Sequence, residues 1–394
     1  MRSGAKASDP LNSPPLIQID CYCEGNPLLP YDVGAFSAGQ APGIFRGFVP
    51  PNTLTFSSVD RIVLFVPTGD YWQLVFEKPS LHITGEIPKL PLGSSGWWHQ
   101  FHRVDTRDPE RGKGIKIGVI DEALPRHQSG PLADIINLGG EAWRARGNRP
   151  YESLGSGHGE MVCSVLGAKV AGSRGFEGIA PGATIYFCAA GADDKDKLAA
   201  PRLAESINHL ATVKQCDIIT FSAGDASLPV PEVESALEDA TDAGVLCFAA
   251  AGNLGKGPLY PACYPDCLSV GALGRVGLAP PQTEDRQDAS RSTVVVGNEF
   301  LWPSSARGPL VKFMGAGASI FYTEPGGGSF AVSGTSFAAP IVAGTAALLL
   351  EKDQNYQSVT RDRKRVEYAL GKLRSMSFNP FANHASIGIL RAGP

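Results

Sequence analysis

Charge is what this sequence has least of. Only 19% of its 394 residues are Asp, Glu, Lys or Arg, below the ~25% of ordinary soluble chains. The 35 basic and 39 acidic residues nearly cancel, leaving a net charge of −4. Without a basic excess there is no electrostatic footprint for nucleic acid or for an anionic membrane surface. Long hydrophobic runs are also missing. The longest, residues 341–350, is interrupted by Gly344 and stops at Glu351-Lys352-Asp353, short of the ~18 apolar residues that a membrane span requires. The first twenty residues carry Arg2 and Lys6 but no apolar core, so no secretory signal is read and the chain is expected in the cytoplasm. Paired metal-ligating cysteines are lacking as well. Cys163, Cys188, Cys216 and Cys247 lie inside apolar runs and read as small buried hydrophobes. Cys21 with Cys23 and Cys263 with Cys267 are the only close pairs, and no second pair with nearby histidines completes a zinc set. Cys263 and Cys267 read as two free thiols ahead of a disulfide.

What the chain has in excess is glycine (46) and proline (31). Few charges with many glycines suit a large buried core with close backbone packing and sharp turns, and they exclude disorder for most of the chain. The length admits two or three domains of ~150 residues, or one large α/β domain with an appendage. Two zones are visible. Residues 1–95 are rich in Pro and Gly and show two strand-like runs, 61–66 and 71–76, separated by Pro67-Thr-Gly-Asp70; this reads as a hairpin within an accessory or pro-segment rich in β-structure. Residues 88–96 read as an exposed linker. From 96 to 394 the pattern changes. Apolar strands are expected at 115–120, 184–190, 217–221, 245–250 and 268–270, and helices at about 159–168, 201–213, 232–243 and 336–351. Fully apolar strands interleaved with helices imply an α/β three-layer sandwich, a mainly parallel sheet covered by helices on both faces. In such sheets the chemistry sits at the carboxyl ends of the strands.

Reading those ends in order gives Asp121 after the 115–120 run, then His158 in Gly155-Ser-Gly-His-Gly-Glu-Met-Val162 before a helix. Ser222-Ala-Gly224 and Asn253 follow the next strands, and Ser336 lies in Ser333-Gly-Thr-Ser-Phe-Ala-Ala-Pro340 at the start of the long helix. Here the chain resembles the subtilisin-like serine proteases (subtilases), which carry an Asp, His, Ser triad in this order. The resemblance covers roughly residues 97–352 and includes two further segments, Gly178-Ile-Ala-Pro-Gly-Ala183 and Ser304-Ser-Ala-Arg-Gly-Pro309. It implies a peptide or protein substrate and no required cofactor. The tracts 193–196 and 284–288 supply carboxylates for the structural calcium that many subtilases hold, but neither has the spaced oxygen ligands of a calcium loop, and both read as solvated loops. Oligomeric state is not legible.

The chemistry fits the residue types. A serine hydroxyl is a poor nucleophile and needs a base within hydrogen-bond reach, the role of His158. Asp121 would fix the imidazole tautomer and stabilise the imidazolium. A histidine at a helix N-terminus is biased toward its neutral form by the helix dipole, which suits a general base near pH 7. The backbone N–H of Ser336 would point at the tetrahedral oxyanion, and the resemblance makes the Asn253 side chain the second donor. Gly334 and Gly252 would let backbone and substrate approach closely. On the substrate side, Ser222, Ala223 and Gly224 match the edge that pairs with an extended peptide. Ala250, Ala251 and Gly252 match the opposite wall of the first pocket, with Leu259, just before Tyr260-Pro261, at its floor. The chain departs from the family at Glu122 and Ala123 after the Asp, at Glu160 and Met161 after the His-Gly, and at Ile341 after Pro340. The expectation is a serine endopeptidase working through an acyl-enzyme on Ser336. Two other outcomes stay open at this point: a maturation protease or transpeptidase dedicated to one precursor peptide, and a protease-like binding protein with an impaired triad.

Overall fold

The structure is a computed structural model. It describes residues 96–121, 158–169, 176–190, 200–222, 229–278, 284–323 and 329–393, together with the backbone pairing of strands at 17–77 and 139–144. In the N-terminal zone, β1 (Ile17–Cys23) pairs antiparallel with β2 (Asn26–Pro27), β3 (Tyr31–Val33) and β4 (Arg61–Phe65), and β4 pairs with β5 (Gln73–Glu77). The expected hairpin is therefore present, with Phe65 opposite Gln73. Tyr71 and Trp72 of the expected second strand lie outside the described residues. Residues 88–95 of the expected linker lie outside the described residues.

The second zone opens with α1 (Trp97–Phe101), followed by β6 (Lys116–Asp121), β7 (Gly139–Arg144), α2 (His158–Gly167), β8 (Thr184–Ala189) and α3 (Ala200–Asn208). A wider helical turn, His209–Val213, ends α3. Next come β9 (Ile218–Phe221), α4 (Pro231–Asp242), β10 (Leu246–Ala250), β11 (Leu268–Arg275), α5 (Glu284–Arg291), β12 (Val295–Val296) and β13 (Glu299–Leu301). The chain finishes through β14 (Phe313–Ala316), β15 (Ile320–Thr323), β16 (Ser329–Val332), α6 (Thr335–Glu351), α7 (Gln354–Ser358), α8 (Arg363–Ser375), β17 (Ser377–Phe378) and β18 (Gly388–Leu390). The main sheet runs β17-β18-β14-β11-β10-β9-β6-β8-β7, parallel from β18 through β7, with β13 and β12 added at the end of β11.

Alternation along the strands builds two cores. Ile218, Leu246, Phe248 and Ala250 face the layer that contains α2 and α6. Their neighbours Ile219, Phe221, Cys247 and Ala249 face the layer that contains α3 and α4. Both faces being covered explains why the strands carry so few polar residues. Helix α6 is buried at Thr335 and at every position from Phe337 to Leu350, leaving Ser336 as the half-buried exception in its first turn.

Several polar groups tie this fold together from within. Nδ1–H of His102 donates to Leu390 O at 2.7 Å, and its Nε2 accepts from Ala316 N–H at 3.1 Å, which fixes the neutral ring. Burial, opposed by the Leu390 bond, pushes this histidine down to about 4. Arg111, 2% exposed, donates to Ile179 O, Gly178 O, Asp108 O and Glu177 and so holds the 176–183 loop. Asp217 accepts from Lys116 N–H, Arg361 and Arg365, each at 2.9 Å. Cys163, Cys188, Cys216, Cys247, Cys263 and Cys267 are all free thiols, and Cys263 is the one that is not buried. Residues 284–288 form the start of α5 rather than the expected solvated loop, and Asp288 accepts from Trp302 Nε1 at 2.7 Å. A carboxylate committed to a buried indole makes this end of α5 structural. The 193–196 tract lies outside the described residues. Among the described residues no group of His, Cys, Asp or Glu is arranged to hold a metal ion, and no helix is long and apolar enough to cross a membrane.

Candidate active site

Chain order and sheet order part company at β6. Strand β8 lies on one side of it and β9 on the other, so the connection leaving β6 and the one reaching β9 run in opposite directions and open a crevice at the carboxyl end of β6. Asp121 is the last residue of β6, 1% exposed. His158 is the first residue of α2. Its Nδ1 lies 2.9 Å from Asp121 Oδ1 and 3.1 Å from Oδ2. A buried carboxylate in this position orients the ring by accepting from Nδ1–H, which leaves Nε2 as the basic atom. The imidazole, 24% exposed, packs against Phe337, with ring centroids 5.8 Å apart. Phe337 directly follows Ser336, so this contact sets the exposed edge of the Asp–His pair against the start of α6.

The first turn of α6 is shaped by Pro340. A proline has no N–H, so the carbonyl four residues earlier loses its helical donor. That carbonyl belongs to Ser336, and the Ser222 hydroxyl donates to it at 2.7 Å. Ser222 thus anchors the nucleophile candidate while lining the same cleft. The cleft, about 140 Å³, is also walled by Ala250, Gly252, Leu259 and Thr335, with Asn253 and Leu254 on its rim.

Asn253 is oriented by its neighbours. Its Oδ1 accepts from Thr335 N–H at 3.0 Å and from the Thr335 hydroxyl at 2.7 Å. Two donors on one atom identify that atom as the oxygen, so the amide NH₂ is the end left to face outward. Nδ2 lies on the Gly334–Ser336 side, 3.5 Å from where a Cβ on Gly334 would sit, with Ser336 N 3.7 Å from the same point. The side-chain nitrogen and the helix N-terminal nitrogen therefore both stand within 3.7 Å of one point beside Gly334, on the side where an oxyanion is expected. Gly252 completes this frame. It adopts φ +111 and its N–H donates to Thr335 Oγ1 at 3.1 Å. A Cβ there would be 2.9 Å from Leu259 Cδ1, so Leu259 packs directly on the glycine and reaches the cleft.

Not every expected residue takes part. Ala251 does not reach the cleft. It is fully buried, its N–H donates to Val270 O and its carbonyl accepts from Leu259 N–H, both at 2.9 Å, so its backbone supports the wall and is unavailable to a peptide. Ala223 and Gly224 lie outside the described residues, as do Glu122 and Ala123. Glu160 is buried in α2. Burial, and then the Asp121 and Glu160 carboxylates, push the Cys163 thiol well above its ordinary value, which makes it unfit as a competing nucleophile. Two contributors were missed in the sequence, Thr335 and Leu254. Thr335 stands inside the Gly-Thr-Ser motif, but its partner is 82 residues away, and only the fold brings them together.

Comparison with known proteins identifies the family. The model of the subtilase family matches residues 112–375. Subtilisin BL of Lederbergia lenta is 29% identical over 250 residues, covering 63% of this chain and 80% of that protein. Subtilisin NAT of Bacillus subtilis subsp. natto is 31% identical over 260 residues, covering 64% of this chain and 60% of the other. Among solved structures, the prenylagaramide maturation protease PagA aligns with a TM-score of 0.51 at 26% identity over 78% of this chain and 96% of its own. The self-cleaved protease domain of PatA aligns with a TM-score of 0.52 at 26% identity over 72% and 95%. The chain belongs to the subtilase family and is a subtilisin-like serine endopeptidase acting on peptide or protein substrates.

Proposed function

We propose that the chain hydrolyses peptide bonds through an acyl-enzyme on Ser336. His158 takes the Ser336 hydroxyl proton as Oγ attacks the scissile carbonyl, and Asp121 stabilises the imidazolium that forms. Ser336 N–H and Asn253 Nδ2 hold the oxyanion. The protonated His158 then delivers its proton to the leaving amine, and water repeats the sequence to release the acid. No step calls on a metal ion or a cofactor. The observation that carries this reading is Asn253, whose amide is locked by Thr335 with its donor end beside Ser336 N. A fluorophosphonate probe followed by peptide mapping tests it: label on Ser336 in wild type and none in His158→Ala is expected. Label on another serine, or none at all in wild type, would refute the assignment.

The substrate range follows from two observations. Leu259 fills the part of the cleft next to Gly252, which favours a small residue before the scissile bond. The similarity to PagA, a maturation protease, favours action on a precursor peptide over general digestion. Proteome-wide cleavage profiling separates the two. Many unrelated cut sites would contradict the dedicated role.

A further inference from the structure

The loop that carries Asn253 is laced to a second segment. Ala306 N–H donates to Gly252 O at 2.8 Å, Gly255 N–H to Ser304 O at 2.7 Å and Arg307 N–H to Lys256 O at 2.8 Å. This pairing sets two basic residues opposite each other in adjoining backbones, Lys256 exposed and Arg307 half-buried. Gly255 adopts φ +64, and a Cβ on it would stand 3.0 Å from Pro303 O and 3.3 Å from Arg307 Nη2. The guanidinium therefore lies against the same loop, two residues from Asn253.

The two cations are poorly used by the fold. Arg307 donates through Nη2 to Pro303 O, and its buried Nε has no partner. Neither Arg307 nor Lys256 has an ion-pair partner among the described residues. The structural arginines of this molecule differ in having a carboxylate: Arg111 pairs with Glu177 and donates to three carbonyls, and Arg365 pairs with Asp217 above the Tyr356 ring, although its Nε, like that of Arg307, has no partner. His384, whose carbonyl accepts from Gly308 N–H, is kept below the ordinary histidine value by burial and by the charge of Arg307. It stays neutral at pH 7, so the corner carries two charges.

We propose that Arg307 and Lys256 form a carboxylate-binding corner that recognises an acidic side chain of the substrate within two residues of the scissile bond. The span follows from chain geometry, because Asn253 to Gly255 covers at most ~7 Å and an extended peptide covers that distance in two residues. The guanidinium fork matches a carboxylate, and Lys256 adds a mobile point charge. The position of the corner beside the cleft takes its meaning from the acyl-enzyme reading above, so the test separates the two. It uses the full-length Ser336→Ala protein and fluorescein-labelled neutral hexapeptides with Ala before the scissile bond. Each carries Glu or Gln either at the second position before that bond or at one of the two positions after it. The Glu peptide should bind about fivefold more tightly than its Gln twin at one of these positions, the upper range for a solvent-accessible ion pair. The difference should shrink as salt is raised. Arg307→Glu should reverse the ratio and favour a Lys peptide, and the exposed Lys256→Gln should reduce it. Equal or absent binding of the twins at all three positions would overturn the corner, as would a ratio that survives both substitutions. Should Arg307→Glu melt at a markedly lower temperature, Lys256→Gln alone decides. Because binding is read on a protein that cannot turn over, missing fluorophosphonate labelling of wild type would count against the acyl-enzyme and leave this ratio as an independent result.

Discussion

Replacing Thr335 by valine keeps the shape of the side chain and removes one hydroxyl from the first turn of α6. That hydroxyl makes two bonds, donating to Asn253 Oδ1 at 2.7 Å and accepting from Gly252 N–H at 3.1 Å. Asn253 would keep the bond from Thr335 N–H at 3.0 Å, so its amide loses one of two restraints. A hydrogen bond of this kind contributes about 1 kcal/mol net, which corresponds to about a five- to tenfold loss in kcat when it is felt through the position of an oxyanion donor. That is far short of the roughly 100- to 1,000-fold known in subtilisin for losing such a donor outright, the loss expected for Asn253→Ala. The orphaned Gly252 N–H is buried, so stability should also fall by about 1–3 kcal/mol. The assay is kcat and KM for one peptide on four proteins: wild type, Thr335→Val, Asn253→Ala and the double variant. Because Thr335 acts on the reaction through Asn253, the double variant should match Asn253→Ala in kcat, with the change in kcat and not in KM. Additive losses, or a Thr335→Val enzyme with unchanged kcat, would refute the reasoning.

Ser336→Ala and His158→Ala should each lower kcat by on the order of 10⁶-fold, the scale known in subtilisin, and the double variant should be little worse; full activity in either single variant removes the triad. Leu259→Gly should move the preferred residue before the scissile bond from Ala, Gly or Ser toward Phe and Leu, since overfilling a packed site costs ~1–3 kcal/mol. Efficient cleavage after Phe by wild type contradicts this. His102 is neutral in the fold with a value of about 4 against 6.5 for the free side chain, so the unfolded chain takes up the proton first. Its contribution is complete above pH 6.5 and falls by about 3 kcal/mol as pH drops to 4. Urea titrations across this range should show a shallower acid dependence in His102→Gln, and an identical slope in both proteins would contradict the account. Intact mass should show residues 1–95 retained in wild type; loss of about ninety residues that is absent in Ser336→Ala would mark a self-removed pro-segment instead.

Much of this molecule was legible from order along the chain. Each of the five apolar runs between residues 115 and 270 is a strand of the central sheet, because a parallel strand buried on both faces must be apolar at every position. Asp121 and Asn253 stand just beyond those runs, and His158 and Ser336 stand at the starts of helices. Less legible were β14 and β18, whose four- and three-residue lengths carry little periodicity, and α8, whose polar composition hid a helix anchored by Arg361 and Arg365 on Asp217, 144 and 148 residues away. How Ala251 contributes to the wall was not legible: a residue at a strand's end can turn its backbone to the core or to the cleft, and its bonds to Val270 and Leu259 hold it behind the wall.

What the sequence by itself determined was the set of reactive groups and the order in which the sheet presents them, since both follow from residue type and short-range pattern. Only the tertiary structure decided how those groups are held. The Ser336 carbonyl released by Pro340 is taken by Ser222, 114 residues earlier. Thr335 dictates which end of the Asn253 amide faces the cleft, and the backbone of Arg307 is paired with that of Lys256, neither meeting a carboxylate among the described residues. Each of these rests on a hydrogen bond between distant segments, and no local pattern in the chain specifies which distant partner a polar group will meet.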